Sequence, residues 1–142
     1  MLLISHRGNI NCESNKNENC LSYLLEAINK GYEVEADVWY DDGWWLGHDK
    51  PTYKVEFNKL FLFWCHAKNS EALQLLNNTC HVTHKYFWHE KDTYTLTSNG
   101  YIWVYPTKQL LSNSICVLPE KGFMGDIHKC GGICSDFIEI YR

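Results

Sequence analysis

The feature that most constrains the fold of this chain is a strict alternation of side chains between residues 32 and 40. Acidic residues take one side of this segment and small apolar residues take the other: Glu33, Glu35 and Asp37 against Val34, Ala36 and Val38. A period of two is typical of a β-strand, because successive side chains point to opposite faces. If the apolar side packs under a helix, Glu35 and Asp37 point into whatever the sheet encloses. Buried carboxylates need a cation or a proton there.

Strands and helices alternate along the first half of the chain. An apolar run at residues 2–5 predicts a strand, and apolar residues three and four positions apart predict a helix over residues 19–30. The apolar run 60–65 predicts another strand, and Asn69 or Ser70 is a suitable cap for a helix over residues 69–77. Further strands are predicted at the following segments: 44–47, 82–88, 101–105, 115–118 and 133–138.

This order of elements predicts the α/β class, with parallel βαβ units that could close into a barrel. A full (β/α)8 barrel needs about 250 residues, whereas this chain has 142. We therefore expect a single domain over residues 1–142, built as a reduced (β/α) TIM-like barrel of seven or eight mostly parallel strands with few outer helices. In the hairpin expected after residue 40, His48 lies near Asp37.

Composition narrows the classes of partner. Lys and Arg number 13 against 17 Asp and Glu, a formal net charge of -4, which disfavours nucleic acid as a partner. No window approaches the roughly 18 apolar residues of a membrane span, and the first residues are too few and too polar for a signal peptide. The seven cysteines are odd in number and lack CxxC spacing. We therefore expect a cytoplasmic protein with reduced thiols.

Residues with reactive or charged side chains collect where the predicted strands end. They are His6 and Arg7 after the first strand, Glu35 and Asp37 in the second, His48 in the following turn, and His66 and Lys68 after the third. In a parallel barrel such residues share the C-terminal rim, where catalytic groups lie. Two carboxylates and a histidine can hold a divalent cation, histidines can transfer protons, and Arg and Lys can neutralise an anion. The pattern predicts metal-assisted phosphodiester chemistry.

Four segments of the chain resemble the glycerophosphodiester phosphodiesterases, a family of phosphatidylinositol-phospholipase-C-like TIM barrels, of which this chain would be a shortened member. The segments are Ile4-Ser5-His6-Arg7-Gly8, Asn17-Glu18-Asn19-Cys20, Glu35-Ala36-Asp37-Val38 and Gly47-His48-Asp49. They are similar, in turn, to the family's opening strand, its helix start, its metal-binding second strand and its second catalytic histidine. The close likeness covers about the first 50 residues, and residues 133–136 loosely resemble the family's final strand.

The resemblance implies roles for individual residues. His6 and His48 would be the general acid and base, in an order that the sequence leaves open. Glu35 and Asp37 would be metal ligands, and Arg7 would contact the phosphate.

The third strand departs from the family pattern, which has Glu-x-Lys where this chain has His66-Ala67-Lys68. We expect His66 to be the third metal ligand and Lys68 a second phosphate contact. A histidine removes one negative charge and softens the site, which lowers its preference for calcium. The expected cofactor is a divalent ion, Mg2+ or Ca2+, with a transition metal as a further possibility.

These residues predict a metal-dependent phosphodiesterase that hydrolyses a small glycerol-type phosphodiester with two histidines as acid and base. The alternative is a catalytically inactive module that binds a phosphate ligand on the same fold. A structural metal protein is disfavoured, because no tetrahedral Cys/His spacing is present. For several residues the sequence leaves a site role and a structural role open: Glu18, His84, His89, Glu90, Trp103, Tyr105 and Asp136. For Trp103 and Tyr105, core packing is favoured.

The expected assembly follows from the small number of helices. A parallel sheet is normally covered on its outer face by helices, and two helices leave the aromatic segments 61–64, 86–88 and 101–105 uncovered. We therefore expect a homodimer, or a higher symmetric oligomer, that buries part of this surface. In the competing interpretation, the long segments 49–59 and 121–132 wrap over the strands instead.

Overall fold

In residues 1–12, 15–79 and 83–142, which the computed structural model describes, the chain forms a ten-stranded sheet with two α-helices. The strands are β1 (Leu2–His6), β2 (Glu33–Tyr40), β3 (Trp44–Leu46), β4 (Tyr53–Lys54), β5 (Trp64–Ala67), β6 (Lys85–Phe87), β7 (Tyr94–Leu96), β8 (Ile102–Val104), β9 (Ser114–Val117) and β10 (Gly132–Ser135). The helices are α1 (Leu21–Asn29) and α2 (Ser70–Asn78), and 3-10 turns span Phe57–Leu62, Pro119–Lys121, Ile127–Lys129 and Ile138–Tyr141.

Strand β2 organises the sheet because it is long enough to pair with three other strands. It runs parallel to β1 and β5 and antiparallel to β3. Beyond β1 follow β10, β9 and β8, all parallel, and β7 is antiparallel to β8 at that end. Strand β6 is parallel to β5 at the other end, and β4 extends the hairpin that β3 begins. The result is a curled sheet of mixed strand direction.

The expected TIM-like barrel of seven or eight mostly parallel strands is wrong. Three pairings are antiparallel, and no strand ladder joins β6 to β7 or β8 within the described residues. Ser98, just beyond β7, meets β6 instead: its N–H donates to the Tyr86 carbonyl at 2.9 Å, and its Oγ accepts from the Tyr86 N–H at 2.9 Å. The cause is connection length, since the links 41–43 and 97–101 are too short for the crossover that parallel neighbours need.

Strand β5 also begins later than the sequence predicts. The apolar run 60–65 was expected to be a strand, but its first residues belong to the 3-10 turn Phe57–Leu62. Leu60 and Phe63 are three residues apart, which is one turn of a 3-10 helix. Both are fully buried in the apolar cluster on the helix-covered side of the sheet. The strand predicted at 82–88 is present only as the shorter β6, and its Val82 lies outside the described residues.

The two predicted helices are confirmed. Asn69 caps α2, since its side-chain oxygen accepts from the Ala72 N–H at 3.2 Å. The buried faces of both helices pack on the outward side chains of β2: Leu24 and Ala27 of α1, Ala72 and Leu76 of α2, and Val34, Ala36 and Val38 of the strand. Glu35 and Asp37 therefore point to the concave side of the sheet, as the alternation predicts. Neither helix of the described chain is long and apolar enough to cross a membrane.

Two long connections cover the rest of the outer face. Val55 and Leu60 are buried from the segment that follows β4, and Phe123, Ile127 and Cys130 pack against the same outer cluster from the segment that precedes β10. These are the segments that the competing interpretation of the assembly expects to wrap over the strands. The surface left for a dimer contact is correspondingly smaller.

A second apolar cluster fills the concave side of the sheet. Phe87 of β6 and Trp103 of β8 stack with ring centroids 4.4 Å apart, so the two ends of the sheet meet through aromatic side chains. Trp103 is 3% exposed, which confirms core packing for this residue, whereas Tyr105 is 36% exposed and core packing is wrong for it. The buried members of the cluster are Ile4, Trp64, Phe87, Trp103, Ile115, Val117, Leu118 and Cys134.

Candidate active site

A layer of polar side chains lies next to this apolar cluster, toward the C-terminal ends of the parallel strands. Residues two positions apart on a strand point to the same side. The polar layer therefore follows the apolar one along each strand: His6 after Ile4, His66 after Trp64 and Asp136 after Cys134. Glu35 and Asp37 of β2 enter the same layer between β1 and β5.

Glu35 and Asp37 are buried carboxylates, 2% and 0% exposed. Burial and the charge of Asp37 raise the pKa of Glu35, against the opposing effect of nearby histidines and Arg7. Burial would also raise the pKa of Asp37, but His66, Arg7 and Lys68 together hold it well below its usual range. Asp37 thus carries its charge more readily than Glu35, although the two carboxylates belong to the same strand.

Glu35, Asp37 and His66 each offer one ligand atom, and these atoms lie within 4.8 Å of one another. His66 Nδ1 lies 3.1 Å from Asp37 Oδ1 and 3.7 Å from Glu35 Oε1. The structure therefore brings together the three residues that the sequence predicts as metal ligands. Carboxylate oxygens with one imidazole nitrogen suit Mg2+, Mn2+ and the later transition metals.

Two observations test whether this triad fits a cation. Asp37 Oδ1 is buried and makes no aligned hydrogen bond, although Lys68 Nζ lies 3.4 Å away. His66 Nε2 lies 2.8 Å from the His89 carbonyl oxygen, which can only accept, so Nε2 carries the hydrogen. In the neutral ring the Nδ1 lone pair then faces the carboxylate oxygens. An unsatisfied carboxylate oxygen and a ring nitrogen thus lie together beside Glu35, an arrangement that a cation would satisfy.

Arg7 forms ion pairs with Asp37 and Glu18. Its Nε lies 2.9 Å from Asp37 Oδ2, as an ion pair without an aligned hydrogen bond, and its Nη1 donates to Glu18 Oε2 at 3.4 Å. Its backbone N–H donates to the Glu35 carbonyl at 3.0 Å. The residue has φ 54°, a left-handed conformation that surrounding contacts must hold in place. Arg7 is thus fixed at the site by both its backbone and its side chain.

His6 is oriented by Asp136, which the sequence left open between a site role and a structural one. His6 Nδ1 donates to Asp136 Oδ1 at 2.7 Å, and His6 Nε2 lies 3.9 Å from Glu35 Oε2. Burial would lower the pKa of His6, but the bond to Asp136 and the charge of Glu35 outweigh burial and raise it. Asp136 is held in turn, because its N–H donates to Glu120 Oε1 at 2.9 Å. Asp136 therefore belongs to the site.

Asn19 is a site residue that sequence reasoning did not single out. Its Nδ2 donates to Asp37 Oδ2 at 2.9 Å, and its Oδ1 accepts from the Asp37 N–H at 2.9 Å. It is 1% exposed and has φ 61°, a region that asparagine enters more readily than most residues. The sequence signal for it is its place in the helix-start segment that resembles the family motif.

Glu18 and Asn9 connect these groups into one network. Asn9 is fully buried, and its Nδ2 donates to Glu18 Oε1 at 2.7 Å and to Asp136 Oδ1 at 2.8 Å. Glu18 also accepts from Arg7. Of the two roles that the sequence left open for Glu18, the structure supports the site role, because the carboxylate holds Arg7 rather than capping α1.

His48 lies at the rim rather than among the buried groups. Its side chain is 45% exposed, and its Nδ1 lies 2.7 Å from Asp49 Oδ1. Gly47 before it has φ 151°, and a Cβ there would lie 2.2 Å from the Lys50 carbonyl. The Gly47 N–H donates to the Asp37 carbonyl at 3.1 Å. The turn thus ties His48 to β2 through the backbone, as the predicted hairpin requires.

A cavity of about 350 Å3 opens above the polar layer. It is lined by five of the seven predicted site residues, His6, Arg7, His48, His66 and Lys68, and the other two, Glu35 and Asp37, lie buried in contact with them. The opposite wall brings in residues that the sequence left open or did not consider: His89, Glu90, Trp103, Tyr105, Leu118 and Lys121. His84, another open candidate, is absent from this lining and stacks on Phe61.

Comparisons with protein-family models, with curated proteins and with solved structures found no match to this chain. The likeness to the glycerophosphodiester phosphodiesterases therefore depends on the short sequence segments alone.

Proposed function

We propose that this protein is a metal-dependent phosphodiesterase that hydrolyses a small glycerol-type phosphodiester. The observation that supports this most is the convergence of Glu35, Asp37 and His66 Nδ1 beside a cavity lined by His6 and Arg7. A divalent ion, Mg2+, Ca2+ or a transition metal, held by the three ligands would supply positive charge to a phosphoryl oxygen as the bond to the leaving group breaks. The remaining chemistry belongs to the side chains around it.

Arg7 and Lys68 would bind the other phosphoryl oxygens. The ion pairs of Arg7 with Asp37 and Glu18 involve Nε and Nη1, and Nη2 donates to no acceptor in the described part of the chain. A guanidinium held through Nε and Nη1 can present its Nη2 to a phosphate oxygen. Lys68 Nζ lies 3.4 Å from Asp37 Oδ1, so a bound cation that takes over this oxygen would free the ammonium group for the substrate.

His6 and His48 would share the proton transfers. One takes the proton from the attacking hydroxyl, either water or a hydroxyl of the substrate, and the other protonates the leaving alkoxide. His6 Nδ1 donates to Asp136, and His48 Nδ1 lies 2.7 Å from Asp49 Oδ1, so the Nε2 atom of each ring is the one left for a substrate. This orientation by a carboxylate is the usual way in which a catalytic imidazole is held in one tautomer.

The experiment is an assay of purified protein on glycerophosphocholine and bis(p-nitrophenyl) phosphate, with Mg2+, Mn2+ or Ca2+ and with EDTA. The variants His6→Ala and His48→Ala should each lower turnover by about a hundredfold or more, while Mn2+ binding stays nearly unchanged. His128→Ala is a matched control, because His128 is exposed on a surface turn. Full activity in both cavity variants would refute the assignment of these histidines.

A second candidate function is a module that binds a phosphate ligand without turnover. His66 in place of the family's glutamate favours it, and so does the exposure of His48, which pairs with the still more exposed Asp49. Calorimetry with sn-glycerol 3-phosphate would separate the two. Binding that depends on Arg7 and Lys68, in a protein that hydrolyses neither diester with any of the three metals, would favour the binding module.

We also propose that the chain forms a homodimer in a reducing compartment, the cytoplasm. Tyr94 and Leu96 lie on one face of the edge strand β7 and are 43% and 73% exposed, which leaves an apolar contact surface beside the open side of that strand. The described cysteines carry free thiols, and four of these residues are buried. Such thiols keep their reduced state most readily in the cytoplasm.

A further inference from the structure

We propose that the turn formed by residues 89–95 is a positioning device for His66, and that Asp92 holds this turn in place. The inference depends on the proposed function, because it concerns the geometry of the metal triad. It assigns a role to a surface carboxylate that has no contact with the cavity in the described structure.

Two contacts hold the His66 ring in place. Its Nε2–H donates to the His89 carbonyl at 2.8 Å. Its plane is set by stacking on Phe87, with centroids 5.1 Å apart and an interplanar angle of 10°. Stacking alone allows the ring to turn over, which would exchange the nitrogen and carbon atoms that face the carboxylates. The hydrogen bond to the carbonyl is therefore what keeps Nδ1 toward Glu35 and Asp37.

The His89 carbonyl is held in turn by the contacts that Asp92 makes. Asp92 gathers the turn around its carboxylate: Oδ2 accepts from His89 Nδ1 at 2.9 Å, and Oδ1 accepts from the Glu90 N–H at 3.1 Å. Thr95 Oγ1 lies within hydrogen-bond distance of Asp92 Oδ2 and also 3.1 Å from the Trp88 carbonyl. The residues on both sides of the His89 carbonyl are thus tied to one carboxylate.

The pKa of Asp92 also indicates that its carboxylate holds the turn. Slight burial would raise the pKa of its carboxyl, but the bonds from Thr95, the Glu90 amide and His89 outweigh burial and lower it. Asp92 is 42% exposed, so its effect on the hydrophobic core is small. Its influence on the site passes through the backbone of the turn to His66.

The consequence for the metal site is geometric. A histidine binds a metal through a lone pair, and the hydrogen bond made by its other nitrogen fixes which nitrogen has that lone pair. Loss of such a partner typically lowers metal affinity by about tenfold to a hundredfold. Asp92→Ala should therefore weaken metal binding although residue 92 touches none of the three ligands.

The test uses the full chain and Mn2+ alone. Calorimetric titration should give an affinity at least about tenfold lower for Asp92→Ala than for the unaltered protein, and a smaller loss for Asp92→Asn, which keeps an oxygen for the Glu90 N–H. Asp126→Ala is the matched control, because Asp126 also accepts from a backbone N–H two residues on, that of His128 at 3.0 Å, in a surface turn remote from the triad. The control should bind Mn2+ like the unaltered protein.

Long-range 1H–15N spectra of the metal-free proteins provide a readout that a general loss of stability would not move. In the unaltered protein the His66 Nε2–H should give the signal of a hydrogen-bonded proton, whereas in Asp92→Ala this signal should weaken and shift. Unchanged Mn2+ affinity in Asp92→Ala would overturn the proposal, and so would an unchanged Nε2–H signal of His66. If the unaltered protein binds no Mn2+, the proposed function fails, and the Nε2–H signal then decides by itself whether the turn positions the ring. Asp92→Asn answers the same questions if Asp92→Ala does not fold.

Discussion

His6 Nδ1 and Asp136 Oδ1, from residues 130 positions apart in the sequence, lie 2.7 Å apart. Adjacent parallel strands bring them together, because β1 and β10 pair with Ser5 opposite Ser135. The next residue on each strand therefore points to the concave side at the same height. The pairing of β1 with β10 therefore brings the two side chains into hydrogen-bond contact.

This pair should stabilise the fold within a limited range of pH. The raised pKa of His6 contributes stability that is complete below the ordinary value of 6.5 and is lost as pH rises through the raised value. The pKa of Asp136 is lowered, since His6, Asn9 and Arg7 outweigh its burial, so its contribution is complete above 3.8 and is lost as pH falls. The contribution of the pair is thus largest between these two values.

We therefore expect Asp136→Asn to cost about 1–3 kcal/mol of unfolding free energy at pH 5.5 and clearly less at pH 9. Urea unfolding of the metal-free proteins in EDTA measures both, with Asp126→Asn as a surface control. An equal loss at the two pH values would mean that the ion pair is not the cause.

Asn19→Ala should loosen Asp37. The substitution removes both hydrogen bonds of the clamp and places alanine at φ 61°, so we expect a loss of about 2–4 kcal/mol in unfolding free energy together with weaker Mn2+ binding. Asn17→Ala, at an exposed position in the same segment, should change stability by less than about 0.5 kcal/mol. Equal effects of the two substitutions in urea unfolding would contradict the clamp.

Gly47→Ala should disturb the His48 turn. The new Cβ would lie 2.2 Å from the Lys50 carbonyl and 2.7 Å from Thr52 Oγ1, and backbone cannot yield as easily as a side chain. Gly100→Ala is the control for backbone strain alone, because its φ is 86° and nothing lies within 4 Å of the added Cβ. Thermal unfolding should show a larger loss for Gly47→Ala by about 1–3 kcal/mol, and comparable losses would argue against the close approach.

More of the candidate site than of the sheet could be predicted from the sequence. Glu35 and Asp37 face inward because a strand with one apolar face leaves no other side for them, and this follows from local alternation alone. His6, Arg7, His66 and Lys68 lie at or just beyond the ends of β1 and β5. Their meeting required only that these strands run parallel on either side of β2. Asn19 and Asp136 were harder to predict, because their roles depend on which distant residue each one touches.

The architecture of the sheet could not be predicted in the same way. β7 has only three residues, and the apolar ones, Tyr94 and Leu96, are the exposed ones, so its pattern is too short and too little buried to identify a strand. Its antiparallel pairing with β8 and the Ser98 contact with β6 are long-range relationships between short elements. The sequence identified most of the individual strands, whereas their directions at the edges depend on short links that reverse the chain.

The homodimer predicts a mass near twice 16.7 kDa in light scattering at micromolar concentration. Leu96→Lys should shift the mass toward that of one chain, because a charge on the exposed face of β7 opposes burial of that face. Lys108→Glu, at another exposed position, should leave the mass unchanged. A mass near 16.7 kDa for the unaltered protein, constant on tenfold concentration, would instead mean that the wrapped segments are sufficient cover.

The most direct test of the phosphodiesterase proposal is the rate of bis(p-nitrophenyl) phosphate hydrolysis as a function of Mn2+ concentration, measured for the unaltered protein and for Asp37→Asn. We expect activity that EDTA abolishes and that Mn2+ restores to saturation. Asp37→Asn should lower the rate by about a hundredfold or more at Mn2+ concentrations that saturate the unaltered protein. Hydrolysis at the same rate with EDTA as with Mn2+, or equal rates for the two proteins, would contradict a metal-dependent reaction at this site.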